Sequence, residues 1–202
     1  MTRYALSDLL RRPIVVAPMA GGPSTTGLVI AAGDAGALGF LAAGYKTPAA
    51  MAAEIAAVRA ATSGAFGVNV FVPGTPCADP GAQAVIAAGA VAAQCGTAFL
   101  RCPESGAHPR YKAALADQRY TATMLTRAFS GRLARGLVNQ FVRDHQDAPA
   151  AYPEINNATR PLRAAAAAEG DAERMSLWAG QGYRSATEYP AAEIIERLST
   201  TG

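Results

Sequence analysis

The stretch with the most chemical potential is Ala17-Pro18-Met19-Ala20-Gly21-Gly22, directly after the apolar run Pro13-Ile14-Val15-Val16. Prolines and glycines forbid further sheet pairing there and let a backbone approach a ligand closely. The segment offers little side-chain bulk and much exposed peptide, which suits a flat ring lying against it; an ordinary strand-to-helix turn is the alternative. A second candidate is Gln94-Cys95-Gly96-Thr97. A glycine-threonine pair at the carboxyl end of a strand supplies N–H groups and a hydroxyl, the donors a phosphate needs. A bare pair can equally be a turn. Three cysteines, Cys77, Cys95 and Cys102, form an odd set without C-x-x-C spacing, which predicts free thiols in a reducing cytoplasm. The two histidines stand far apart, His108 before Pro109 and His145 in Arg143-Asp144-His145-Gln146-Asp147. No zinc site is expected from them, and both read as surface residues.

These residues need elements to position them. The run at 13–16, with its adjacent valines, reads as a strand buried on both faces. Ser24 or Thr25 then caps a helix over 27–35, leaving N–H groups beside the strand's carboxyl end. That edge is where α/β proteins bind ligands. Glycine-bounded residues 36–44 form a second strand. Thr47 caps the next helix with Pro48 at its first position, Met51, Ile55 and Val58 share its apolar face, and Gly64 ends it. Residues 66–72 form a third strand, and the alternation with short links predicts right-handed parallel βαβ units. Three prolines and two glycines at 73–81 break the pattern. A short helix over 82–88 and a fourth strand over 91–100 follow. Beyond Arg101 helices are predicted over 109–115, 121–128, 159–170, 171–178 and 190–198, the last with Ile194, Ile195 and Leu198 on its apolar face. An arginine-bearing loop lies at 131–136, and no further strand is expected.

At 202 residues, half of them apolar, the chain holds one domain with a real core, residues 1–202. Within it, 1–75 carry the first βα units, 76–100 a join and the last strand, and 101–202 a helical and loop-rich tail. The chain is short for a closed eight-unit βα barrel, which takes about 250 residues. Net charge is +3 on 16% charged residues with no basic run, which argues against a nucleic-acid partner. No stretch reaches the roughly 18 uninterrupted apolar residues of a membrane span. With no signal-like start either, a soluble cytoplasmic protein without membrane contact is expected.

Taken in order, several blocks resemble the nitronate monooxygenase (2-nitropropane dioxygenase) family. They are Pro13-Ile-Val-Val-Ala-Pro-Met-Ala-Gly-Gly, Asp34-Ala-Gly-Ala-Leu-Gly and Gly67-Val-Asn-Val-Phe, then Gln94-Cys-Gly-Thr-Ala-Phe-Leu, Glu104-Ser, Thr126-Arg-Ala-Phe-Ser-Gly-Arg and Leu177-Trp-Ala-Gly-Gln-Gly. That family is similar in fold to other FMN-binding βα barrels, among them flavin-dependent enoyl reductases and inosine-monophosphate dehydrogenase, and it oxidises alkyl nitronates with FMN and dioxygen. The resemblance implies that Pro18, Met19 and Ala20 line the isoalloxazine and that Asn69 hydrogen-bonds FMN. It gives Gln94, Cys95, Gly96 and Thr97 the last part of the phosphate site and places Gln181 near the flavin rim. Each has a plainer alternative: Met19 as core filler, Asn69 as a turn former, Cys95 as an inert buried thiol.

The chain departs from that family in the middle. Only about two dozen residues separate Phe71 from Gln94, where the family carries roughly four more βα units. The missing part includes the family's catalytic histidine and the glycine-rich loops that hold most of the FMN phosphate. The expected architecture is therefore α/β, a partial TIM-type barrel of four parallel strands in the order last-first-second-third, with helices outside and a helical tail. Its open edges invite a second copy, giving a homodimer. The expected function is that of an FMN-dependent nitronate monooxygenase impaired by an internal deletion. An inactive remnant or interaction module is the alternative, and a flavin-dependent enoyl reductase is the runner-up among enzymes.

Overall fold

The structure, a computed structural model, describes residues 6–43, 46–69 and 92–200. The proline-rich join, the predicted helix over 82–88, Cys77 and residues 70–72 of the third strand lie outside the described residues. The chain divides into two compact units, residues 1–107 with 187–202, and residues 108–186.

The first unit is built on four parallel strands, β1 (Ile14–Val16), β2 (Leu38–Ala42), β3 (Gly67–Asn69) and β4 (Ala93–Cys95), in the order β3-β2-β1-β4. This is the expected order, with the last strand beside the first: Val15 stands opposite both Leu38 and Gln94, and Phe40 opposite Gly67. The fourth strand is shorter than the predicted 91–100. It stops at Cys95, and Thr97–Phe99 turns into a 3-10 helix.

Alternation along β1 sends Ile14 and Val16 to one face. There they pack with Leu28 and Ala32 of α1 (Thr26–Asp34), with Phe99 and Cys102, and with Ile194 and Ile195 of a helix at 191–200. A second cluster joins Val29 and Leu41 to Met51 and Val58 of α2 (Pro48–Ala61). The sheet–helix contact is close at Gly39, where a Cβ would lie 2.8 Å from both Cα and O of Val29. Among the described residues of the first unit, each α-helix start has an acceptor to match its N–H groups. Thr25 Oγ1 accepts the Leu28 N–H, and Thr47 Oγ1 accepts the Ala50 N–H. Both Glu104 carboxylate oxygens lie 3.1 Å from the Ala191 N–H at the start of the last helix. An acid from a distant loop thus performs the capping usually left to the preceding residue.

In the second unit α3 (Pro109–Ala116) forms as expected. The region around 121–128 is not helical. Thr123–Thr126 is a strand, β5, paired antiparallel with β6 (Ala134–Leu137), so the tail carries a hairpin where a helix and a loop were expected. The predicted helix over 171–178 is also absent. Its backbone serves β6 instead: Leu137 N–H donates to Leu177 O, Ala179 N–H to Arg135 O, and Gly136 bridges Trp178. Two further helices follow β6. The first is α4 (Gln140–Asp144), capped by Asn139, and the second is α5 (Glu154–Glu169). The latter starts before the expected Thr159, runs through Pro161, and ends as predicted at Gly170, whose φ is 68°. The helix at 191–200, Ala191–Thr200, is α6 and returns to the first unit.

The core of the second unit is aromatic. Phe129 stacks on Phe141 at 4.7 Å between centroids and takes the edge of Trp178 at 5.5 Å. Two tyrosines are held neutral. Burial pushes up the pKa of Tyr111, whose hydroxyl donates to Trp178 O. Burial, and then the Glu173 carboxylate that accepts its hydroxyl at 2.7 Å, do the same for Tyr120. Both pKa values lie above that of the unfolded chain, so their contribution to stability is complete below the ordinary value of 10.0 and falls as pH rises past it. Titration at 295 nm should therefore show part of the tyrosine absorbance developing only above pH 10, together with unfolding. A tyrosine absorbance change complete near pH 10 in the folded chain would contradict this.

Candidate functional site at the carboxyl edge of the sheet

Because all four strands are parallel, their carboxyl ends meet one edge of the sheet, and the expected cofactor residues of the first unit lie along it. Pro18, Met19 and Ala20 follow β1, Asn69 closes β3, Gln94 and Cys95 end β4, and Gly96 and Thr97 begin the turn after it. Ala17 N–H donates to Cys95 O at 2.8 Å, which fixes the first loop against the last. A Cβ on Gly96 would lie 3.4 Å from the Ala17 Cβ and 3.7 Å from the Met19 sulfur, so the thioether rests over this glycine. Met19 and Cys95 also pack against the core cluster, so the core-filling alternative for Met19 describes part of what it does.

The loop after β1 is closed on itself. Met19 N–H donates to Ser24 Oγ at 2.8 Å, and Ser24 N–H returns to Met19 O at 3.3 Å. Gly21 at φ +87° and Gly22 at φ +123° make the bend, a region that favours glycine. A Cβ on Gly21 would meet nothing within 4 Å, whereas one on Gly106 would collide with Gly22 O. The loop is thus exposed on one side and seated on residue 106 on the other.

The remaining candidates are placed as follows. Asn69 is half-buried; its carbonyl accepts the Ala43 N–H at 3.0 Å, and its carboxamide bonds to none of the described residues. Gln94 is exposed, and Gly96 and Thr97 are half-buried. Cys95 and Cys102 are in no disulfide, and Cys102 is buried with its thiol donating to Phe99 O. Gln181 is exposed and belongs to the second unit. Each histidine already has a structural partner. His108 Nδ1 accepts the Arg110 N–H at the start of α3, and His145 stacks on Phe141 at 4.3 Å.

Among the described residues no group of three or more His, Cys, Asp or Glu could hold a metal, and no helix is long and apolar enough to cross a membrane. A surface cavity of about 400 Å³ lies elsewhere, in the second unit. Its arginines Arg119, Arg143 and Arg174 are already paired with Asp117, Glu173 and Asp171. Those ion pairs use the charges a ligand would need. Sequence reasoning gave no role to Glu104 and considered Ser24 only as a helix cap. The available signal was Ser24-Thr25, two adjacent capping residues where one helix needs a single cap.

The family profile for nitronate monooxygenase matches residues 3–83 and 77–201. The chain belongs to the nitronate monooxygenase family. It is 44% identical over 123 residues to the nitronate monooxygenase of Pseudomonas aeruginosa, covering 58% of this chain and 35% of that one. A probable nitronate monooxygenase of Bacillus subtilis is 39% identical over 127 residues, covering 61% and 37%. The chain thus spans little more than a third of the length of these curated relatives. Among solved structures it is similar to nitroalkane oxidase from Streptomyces ansochromogenes, with a TM-score of 0.89 and 32% identity over 96% of each chain. FabK from Thermotoga maritima aligns with a TM-score of 0.73 at 22% identity over 98% of this chain and 95% of that one, a likeness of fold alone. Within the nitronate monooxygenase family, the four-stranded arc with its outer helices is a partial TIM-type barrel.

Proposed function

We propose that this chain carries the flavin-ring half of an FMN-dependent nitronate monooxygenase site and acts weakly on alkyl nitronates with dioxygen. The observation that carries this reading is the gathering of Pro18–Ala20, Asn69 and Gly96–Thr97 along one sheet edge in a member of that family. The residues present fit the ring. Gly21 leaves space beside the exposed loop, Met19 rests against Gly96, and the Asn69 carboxamide is available to a polar ring edge. Gly96 and Thr97 would take part of the phosphate. FMN, when bound, supplies the transfer of electrons from nitronate to dioxygen. The protein's own part is to hold the ring on the Pro18–Ala20 backbone and to offer the amide of Asn69 to it.

A second reading, an inactive remnant or interaction module, is favoured by one observation. The two family matches meet at 77–83 while the chain spans about a third of its relatives, which supports an internal deletion at the proline-rich join. Colour separates the two readings. After reconstitution with FMN and gel filtration, a retained flavin absorption band supports the first, and a colourless protein supports the remnant. Light scattering on the same sample tests pairing of a second copy along the outer edges of β3 and β4, which have no partner strand among the described residues. A monomer would exclude that pairing. Val15, Leu38 and Ala42 are already buried within one chain, so association would use the strand edges rather than the inner face.

A further inference from the structure

We infer that Ser24 is the positioning residue of the flavin platform and acts through Met19; this rests on the flavin reading above. Ser24 is only 4% exposed, so its hydroxyl must find a protein partner. The neighbouring helix does not supply one, because Thr25 is the cap of α1. Ser24 Oγ instead accepts the Met19 N–H at 2.8 Å, and Ser24 N–H donates to Met19 O. One side chain and one amide therefore fix both polar groups of the residue on which the ring would lie. The N–H groups of Ala20, Gly21 and Gly22, in the bend between them, bond to none of the described residues and are the donors left for a ligand.

The far end of the loop is pinned separately. Pro23 O accepts the Gly106 N–H at 3.2 Å, and Thr25 Oγ1 donates to Glu104 O at 2.6 Å. Removing the Ser24 hydroxyl would leave these anchors and the Ser24 N–H to Met19 O bond in place and release only the Met19 N–H. The platform would still fold but would no longer be held ready, and ordering it would oppose binding.

The test compares Ser24→Ala, Ser24→Thr and Thr47→Ala with the wild type in the full chain. Thr47→Ala removes the cap of α2 and serves as a variant destabilised far from the loop. FMN affinity is read by quenching of flavin fluorescence, and the Met19 amide by hydrogen exchange. Ser24→Ala should weaken FMN binding about tenfold, the worth of one buried hydrogen bond, and speed exchange at Met19. Ser24→Thr should recover most of the affinity, and Thr47→Ala should leave it unchanged. Wild-type affinity in Ser24→Ala, or equal weakening by Thr47→Ala, would overturn the role of Ser24 while the flavin reading stood. Failure of the wild type to bind FMN would overturn the flavin reading and this inference with it.

Discussion

Supplied with saturating FMN and propyl nitronate, the chain is expected to take up oxygen about 10²–10⁴ times more slowly than a full-length family member, the usual cost of a lost general base. The family resemblance assigns proton handling and nitronate orientation to a histidine in the stretch that the proposed deletion would remove between Phe71 and Gln94. Neither remaining histidine is available to stand in. His108 uses Nδ1 to accept the Arg110 N–H at 3.2 Å, and His145 lies 2.9 Å from Phe141 O with its ring against that phenylalanine. Affinity for FMN should fall as well. The resemblance gives most of the phosphate contacts to the same stretch, and each charge-assisted hydrogen bond is worth about 1.5–3 kcal/mol. Saturating flavin is therefore essential, because it separates weak binding from slow chemistry. An oxygen electrode trace approaching that of a full-length relative would show the missing units to be dispensable.

Replacing Phe129 with alanine should cost about 3–5 kcal/mol, a large share of a typical domain's 5–15 kcal/mol. The ring is 1% exposed, stacked on Phe141 and met edge-on by Trp178, so its removal leaves a cavity among rigid aromatic neighbours. Those neighbours also lose ring–ring contacts beyond simple burial. Trp178 is the single tryptophan and lies in this cluster, which makes its emission a local reporter. Urea unfolding followed by that emission should move to a midpoint lower by more than about 1 M. Leu162→Ala, at a side chain 54% exposed, is the control and should change stability by less than about 0.5 kcal/mol. A Phe129→Ala midpoint within error of the control would mean that the aromatic cluster is not the core of this unit.

The first unit was legible because its signals are local and agree with one another. Thr25 and Thr47 cap the helices they were expected to cap or precede, and the strands appear in the inferred order. That order came from barrel geometry, in which the last strand neighbours the first. The second unit was less legible because its backbone is claimed by distant partners. Thr123-Met124-Leu125-Thr126 holds residues that suit a helix as well as a strand, and only pairing with 134–137 decides between them. Residues 171–178 are rich in helix formers, yet Glu173 O accepts the Phe141 N–H and Leu177 O accepts the Leu137 N–H. Gly136 permits that approach, since a Cβ there would lie 2.9 Å from Leu177 O. Pro161 misled in the other direction. Proline favours the first turn of a helix, but α5 begins at Glu154 and has enough packed length to carry it in the interior. The candidate site was read residue by residue, whereas the closure of its loop by Ser24 depends on a turn that only the folded chain displays.

The Glu104 carboxylate at the start of α6 also constrains the order in which the chain can become native. Ile194 and Ile195 belong to the same cluster as Ile14, Val16 and Leu28, so that cluster stays incomplete until the ribosome has passed residue 195. The 79 residues of the second unit, 108–186, emerge before then and draw their core from within that span. During synthesis the sheet and its apolar outer face must therefore wait, partly uncovered, while the later-encoded hairpin and helices are free to settle first. Joining contacts so far apart in sequence is slow, and an uncovered apolar face is prone to off-pathway association. The vulnerable moment in the life of this protein thus falls between the emergence of β4 and the docking of α6, when Glu104 has no helix to cap.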